Sequence, residues 1–154
     1  MRKSLGLLGV GFGMVILGGV AEAAGPYQYV PLSPCRFADT RDATLQGGPG
    51  QALVTFVVRT LTAKGRCGIP STAQAISVNV TVANPTGAGF LTLYPTGVDK
   101  PWISVINWVS TDYALANGAV LPLGAASAGE VSAYQESNGG GTVDLILDVT
   151  GYFQ

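Results

Sequence analysis

The chain has 154 residues, with eight basic and nine acidic side chains and no histidine. Only 11% of it is charged, while 47% is hydrophobic. A formal charge of −1 leaves no basic footprint for nucleic acid or an anionic lipid surface. The missing histidine excludes Ser-His-Asp and Cys-His catalysis and removes the commonest metal ligand.

Residues 1–23 read as a secretory signal peptide. Arg2 and Lys3 begin it, and Leu5 to Val20 is an uncharged run of 16 residues that holds six glycines. Ala21-Glu22-Ala23 then supplies small residues where a signal peptidase reads them, which puts cleavage after Ala23. A membrane anchor is the rival reading, but the run falls short of the roughly 20 residues a spanning helix needs. The mature chain is expected to be secreted, extracellular or at the cell surface, with no membrane tether. It is read as one domain, without a linker or an internal repeat, and carries six basic and eight acidic side chains. Such sparse charge has two readings: a surface covered by copies of itself or by a larger assembly, or a neutral surface rich in Ser, Thr, Asn and Gly.

Residues 24–34 form an extended arm punctuated by prolines, with a strand candidate at Gln28 to Leu32. The arm is expected either as an edge strand of its own domain or as a strand lent to a neighbour's edge. Residues 35–154 follow as the β domain. Its strand candidates are Leu53 to Val58, Ala75 to Val82, Leu91 to Tyr94, Trp102 to Val109, Ala119 to Leu123, Glu130 to Gln135 and Val143 to Val149. The clearest is Ile76, Val78, Val80 and Val82 alternating with Ser77, Asn79 and Thr81, a strand with one buried face. Turn chemistry separates the candidates at Gly47-Gly48-Pro49-Gly50, Asn84-Pro85-Thr86-Gly87, Pro95-Thr96-Gly97 and Ser137-Asn138-Gly139-Gly140-Gly141. Short strands at even spacing with no helix predict an all-β single β-sandwich, with a jelly roll as the expected arrangement.

Cys35 and Cys67 are expected to form one disulfide in an oxidising compartment, closing about 32 residues and contributing roughly 3–4 kcal/mol. Two unpaired buried thiols are the alternative. Beside Cys35 lies a dense polar cluster, Arg36, Asp39 and Arg41. It reads either as an anion or sugar site, because arginine presents a planar donor fork, or as a structural corner in which the charges satisfy one another. Calcium on Asp39, Asp42 or Asp148 lacks the spacing of a calcium loop. Asp144 and Asp148 share a strand face about 13 Å apart, a poor fit to the roughly 5–10 Å of glycosidase carboxyl pairs. No catalytic residue, metal ligand or cofactor is therefore assigned.

The remaining candidates are aromatic. Tyr94, Trp102, Trp108, Tyr113 and Tyr134 read either as a platform stacking on sugar rings or as core and subunit contacts. On one continuous strand, Trp102 and Trp108 would share a face about 20 Å apart. Asn79-Val80-Thr81 matches the N-glycosylation pattern but lies inside a strand.

A series of short motifs runs through the chain in fixed order. They are Pro34-Cys35-Arg36, Asp39-Thr40-Arg41, Cys67-Gly68-Ile69-Pro70, Asn79-Val80-Thr81, Gly89-Phe90-Leu91-Thr92-Leu93-Tyr94-Pro95, Asn107, Ala116-Asn117 and Asp148-Val149-Thr150-Gly151-Tyr152-Phe153. In this order the chain, over about residues 29–154, resembles a secreted bacterial β-domain that recurs in cell-surface and exported proteins, often at their C-terminal end. The resemblance implies an all-β fold and a Cys35–Cys67 bridge, and carries over no catalytic residue.

The sequence thus predicts a non-catalytic extracellular structural protein, a self-associating subunit of a filament or surface layer. The alternative is a carbohydrate-binding module for cell-wall or matrix polysaccharide. A hydrolase working through acidic residues is the third reading.

Overall fold

A computed structural model describes residues 26–46, 51–126 and 128–154. The segment read as a signal peptide, 1–23, lies outside them. Among the described residues no helix is long and apolar enough to cross a membrane.

Alternation along the chain becomes nine strands. They are β1 (Tyr29–Asp39), β2 (Leu53–Val54), β3 (Val58–Thr62), β4 (Ala75–Ala83), β5 (Gly89–Pro95), β6 (Ile106–Trp108), β7 (Ala114–Pro122), β8 (Glu130–Ser137) and β9 (Thr142–Phe153). One sheet has the order β1-β9-β4-β7, with β2 also paired to β9; the other has the order β3-β8-β5-β6. All pairings are antiparallel: β1 with β9, β3 with β8, β4 with β7 and β5 with β6. The chain is therefore a long hairpin wrapped around a sandwich, which is the jelly roll.

Period-two sequence explains the two layers. β4 buries Ile76, Val78, Val80 and Val82 and turns Ser77, Asn79 and Thr81 outward. β9 adds Val143, Leu145, Leu147 and Val149 to the same inner face. The second sheet answers with Leu61, Leu91, Leu93, Val131, Ala133 and Trp108. Burial of these side chains, each contributing about 1.5–3 kcal/mol, fixes the register, because a slip of one residue would turn every apolar side chain to water.

Three strands differ from expectation. The strand expected at Trp102 to Val109 shortens to Ile106–Trp108. The residues before it turn back over the outer face of the second sheet, where Val105 N donates to Leu91 O at 2.8 Å and Thr92 Oγ1 donates to Ile103 O at 2.7 Å. The strand expected at Leu53 to Val58 breaks at Phe56, whose φ is +63°, giving β2 and β3. β7 starts at Ala114, five residues earlier than its apolar pattern suggests. Here pairing with β4 over nine residues overrides the weak strand preference of Ala114, Ala116 and Gly118.

β1 takes up the arm from Tyr29 to Pro34 and runs on to Asp39; residues 24–25 of the arm lie outside the described residues. Tyr29, Val30 and Pro31 pair with Phe153, Tyr152 and Gly151, and the Tyr29 ring lies 5.2 Å from that of Phe153. In the protomer the arm is thus an edge strand of its own domain. Two register shifts, between Pro31 and Cys35 and between Arg36 and Ala38, interrupt β1.

The Cys35–Cys67 disulfide is formed, with the Cα atoms 5.8 Å apart. Cys35 belongs to the first sheet, whereas Cys67 sits in the turn by which the chain leaves β3 for β4. The bridge therefore ties the N-terminal edge strand to a crossover between the sheets. Such a bond fits an oxidising compartment. Replacing both cysteines by serine should cost about 3–4 kcal/mol, the chain-entropy value for a loop of this length. Urea denaturation of the variant checks this, and an unchanged midpoint would show that the bridge does not stabilise the fold.

Candidate functional site

The polar cluster of the sequence assembles into a closed network across β1 and β9. Arg36 makes a two-pronged contact with Asp148, Nε to Oδ1 at 2.7 Å and Nη2 to Oδ2 at 3.0 Å. Register places these residues directly opposite each other. Asp39, 3% exposed, accepts from Arg41 N at 3.0 Å, Arg41 Nε at 2.9 Å, Arg41 Nη2 at 2.9 Å and Arg36 Nη1 at 3.2 Å. Thr40 Oγ1 donates to Asp144 Oδ1 at 2.7 Å and accepts from Leu145 N at 3.1 Å, while Asn84 Nδ2 donates to Asp144 Oδ2 at 2.9 Å.

These partners set the electrostatics. Hydrogen bonds from the Arg41 side chain hold the Asp39 carboxyl below the usual carboxylate range, against the opposing cost of burial. The Asp148 hydrogen bond raises Arg36, and that from Asp39 raises Arg41. The Asp42 carboxyl is lowered by the Thr44 amide and hydroxyl. Asp39 and Asp148 are engaged by guanidinium groups and Asp144 by Thr40 and Asn84, so the arrangement does the work of a clamp. It joins the end of β1 to β9 and aims no carboxylate at a cleft. Among the described residues no three His, Cys, Asp or Glu side chains come together to hold a metal.

The five aromatics separate. Trp108 is 4% exposed and its Nε1 donates to Gly87 O at 2.7 Å, which makes it a core residue. Tyr94 is buried on β5. Tyr113 is 85% exposed in the turn before β7. Trp102 is 91% exposed, in the β5–β6 connection rather than on a strand. The shared strand face expected for the two tryptophans therefore does not exist. Lys100 Nζ sits 4.3 Å from the centre of the Trp102 ring and 4.6 Å from that of Tyr134, bracketed by both. The Tyr134 hydroxyl donates to Glu136 at 3.2 Å, and burial first, then this carboxylate, pushes its pKa up.

Two features were not singled out from the sequence. Phe56 is 66% exposed and holds a left-handed backbone. The other is the contrast among sheet edges. On the β1 edge Asp39 N donates to Gln46 O, and the Gln46 side chain bonds both Thr62 N and Thr62 O on the β3 edge. β6 is only three residues long. β7 is nine residues long and uncharged, with no register shift and with proline only at its last position. Among the described residues, no backbone group of β7 bonds to anything on the side away from β4. Charges, prolines and bulges usually blunt an edge, and β7 has none of these before Pro122.

Asp39→Asn tests the clamp. The Asp39 carboxyl titrates lower in the folded state than in the unfolded one, so its contribution is complete above the unfolded value, near pH 4, and fades as the pH falls further. The variant should lose about 2–3 kcal/mol at pH 7, and its deficit against the parent should narrow below about pH 4. A deficit in urea denaturation that stays constant with pH would refute the assignment. Comparison with known proteins adds no assignment to this geometry: no protein-family model matches the chain, and no curated protein matches it.

Proposed function

We propose that this protein is a non-catalytic, exported structural component that works by contact and associates with its own copies through the free edge of β7. The observation that carries this reading is the edge from Ala114 to Pro122: among the described residues its backbone groups are unpaired on the side away from β4, and of its side chains Asn117 bonds across to Val105 O at 2.8 Å. An edge of this kind offers alternating N–H and C=O groups to another strand. A second copy supplies the matching groups when two β7 strands lie antiparallel about a two-fold axis, which closes the contact.

Composition supports the same reading. β7 presents Ala114, Ala116, Gly118 and Val120, and its neighbour β4 presents Ser77, Asn79 and Thr81 on the outer face. No charge opposes the approach of a like surface there, and no long side chain must be ordered. The disulfide and the saturated carboxylates agree with export and contact rather than acid chemistry.

Gly118→Lys tests the edge. A side chain at Gly118 meets nothing within 4 Å, so the fold accepts it. In sedimentation equilibrium the parent should form dimers or larger species, and the variant should dissociate with a constant raised about tenfold or more, since like charges would face each other across the axis. A parent that stays monomeric at every concentration would overturn the proposal, as would a variant that associates equally well.

A further inference from the structure

The outer face of the second sheet carries an open groove that runs across the strands and is separate from β7. One part, about 480 Å³, is lined by Phe56, Phe90, Glu136 and the glycine-rich turn at Gly139 and Gly140. The adjoining part, about 260 Å³, is lined by Phe90, Lys100, Trp102, Ser104 and Asn107. Phe90 lines both, so the two parts lie side by side at its ring. Register gives the direction. Phe56 N donates to Gln135 O beside Glu136, Glu136 pairs with Phe90, and Phe90 pairs with Asn107. Phe56 and Phe90 therefore lie two strand spacings apart, about 10 Å.

From this groove we infer a second binding function: the protein takes an uncharged polysaccharide chain along Phe56, Phe90 and Trp102. Four observations converge on that ligand class. The groove holds aromatic faces at intervals, which suits a polymer of repeating flat rings better than a compact molecule, because it is open and cannot enclose one. Trp102 is 91% exposed, and Lys100 lies against one ring face at 4.3 Å. The ammonium, held between Trp102 and Tyr134, covers one face of the indole and leaves the other to stack on the C–H groups of a sugar. Glu136, Ser104, Asn107 and Lys100 give the lining both hydrogen-bond donors and acceptors for hydroxyl groups. Lys100 and Glu136 carry opposite charges, so the lining favours neither a polyanion nor a polycation.

The fourth observation is backbone strain. Phe56 holds a φ of +63°, a region that a bulky residue rarely occupies. Glycine would adopt it freely. The conformation instead presents an exposed ring to the groove, and strain kept at an exposed aromatic points to a contact it serves.

Retention on microcrystalline cellulose and on chitin tests the inference, with the full exported chain and its Trp102→Ala, Phe56→Gly and Gly118→Lys variants. The parent should be retained on at least one polymer, and Trp102→Ala should weaken its retention about tenfold, the loss of one stacked ring. Phe56→Gly should weaken retention while raising the thermal midpoint, because the strain is relieved as the contact is lost. A purely structural Phe56 would not separate these two readouts. Gly118→Lys should be retained like the parent, which keeps the groove distinct from the β7 edge. Emission of the exposed Trp102 should shift to the blue when a soluble oligosaccharide of the retained polymer is added. No retention of the parent on either polymer would overturn the inference. So would equal retention of Trp102→Ala and Phe56→Gly, or a loss of self-association in Trp102→Ala, which would assign the platform to contact between copies.

Discussion

The whole sandwich depends on the placement of β9. The last strand in sequence lies inside its sheet, with β1 on one side and β4 on the other. Its inner stripe of valine and leucine is the floor of the core. The first and last of the described strands therefore meet in hydrogen-bonded register, from Tyr29 opposite Phe153 to Asp39 opposite Ile146. β1, β4 and β9 cannot form their full sets of bonds until segments far apart in sequence come together, which makes this a fold dominated by non-local contacts.

The polar clamp and the disulfide serve that meeting from opposite sides. Arg36, Asp39 and Thr40 bind the end of β1 to Asp148 and Asp144 on β9. The bridge from Cys35 ties the interrupted part of β1 to the crossover at Cys67. A buried Asp39 is tolerated because each of its oxygens accepts from a guanidinium. Charged groups are sparse in this chain, and five of them, Arg36, Asp39, Arg41, Asp144 and Asp148, are gathered in this clamp. Gln46 extends the closure, bridging Ala38 and capping Thr62. That concentration of closure on one side leaves β7 as the open edge.

The two sheets consequently present different outer faces. The first carries small polar residues at Ser77, Asn79 and Gly118, with the Arg36–Asp148 pair beside Asn79. The second is crossed by the β5–β6 connection, which leaves Trp102 in solvent. The open β7 edge and the aromatic groove thus belong to different sheets, and the β7 edge to the sheet that also carries the clamp.

Period-two hydrophobicity, turn residues at even spacing and two cysteines were enough to establish the sandwich and its bridge. Those signals are local, or depend only on pairing two identical residue types, and physics reads them the same way in any chain. The polar cluster was legible for a related reason: charges drawn into a fold beside a disulfide must find partners. The wider network was not, because Asp144 and Asp148 lie more than 100 residues from Thr40 and Arg36. Only tertiary structure separated Trp102 from Trp108, since exposure depends on which way the β5–β6 connection crosses the sheet. It also decided that β7 begins at Ala114, where pairing with β4 outweighs weak local preference, and that Phe56 takes a left-handed turn. An open edge and an exposed groove are properties of what neighbouring strands leave uncovered, and no single segment of sequence encodes its own neighbours.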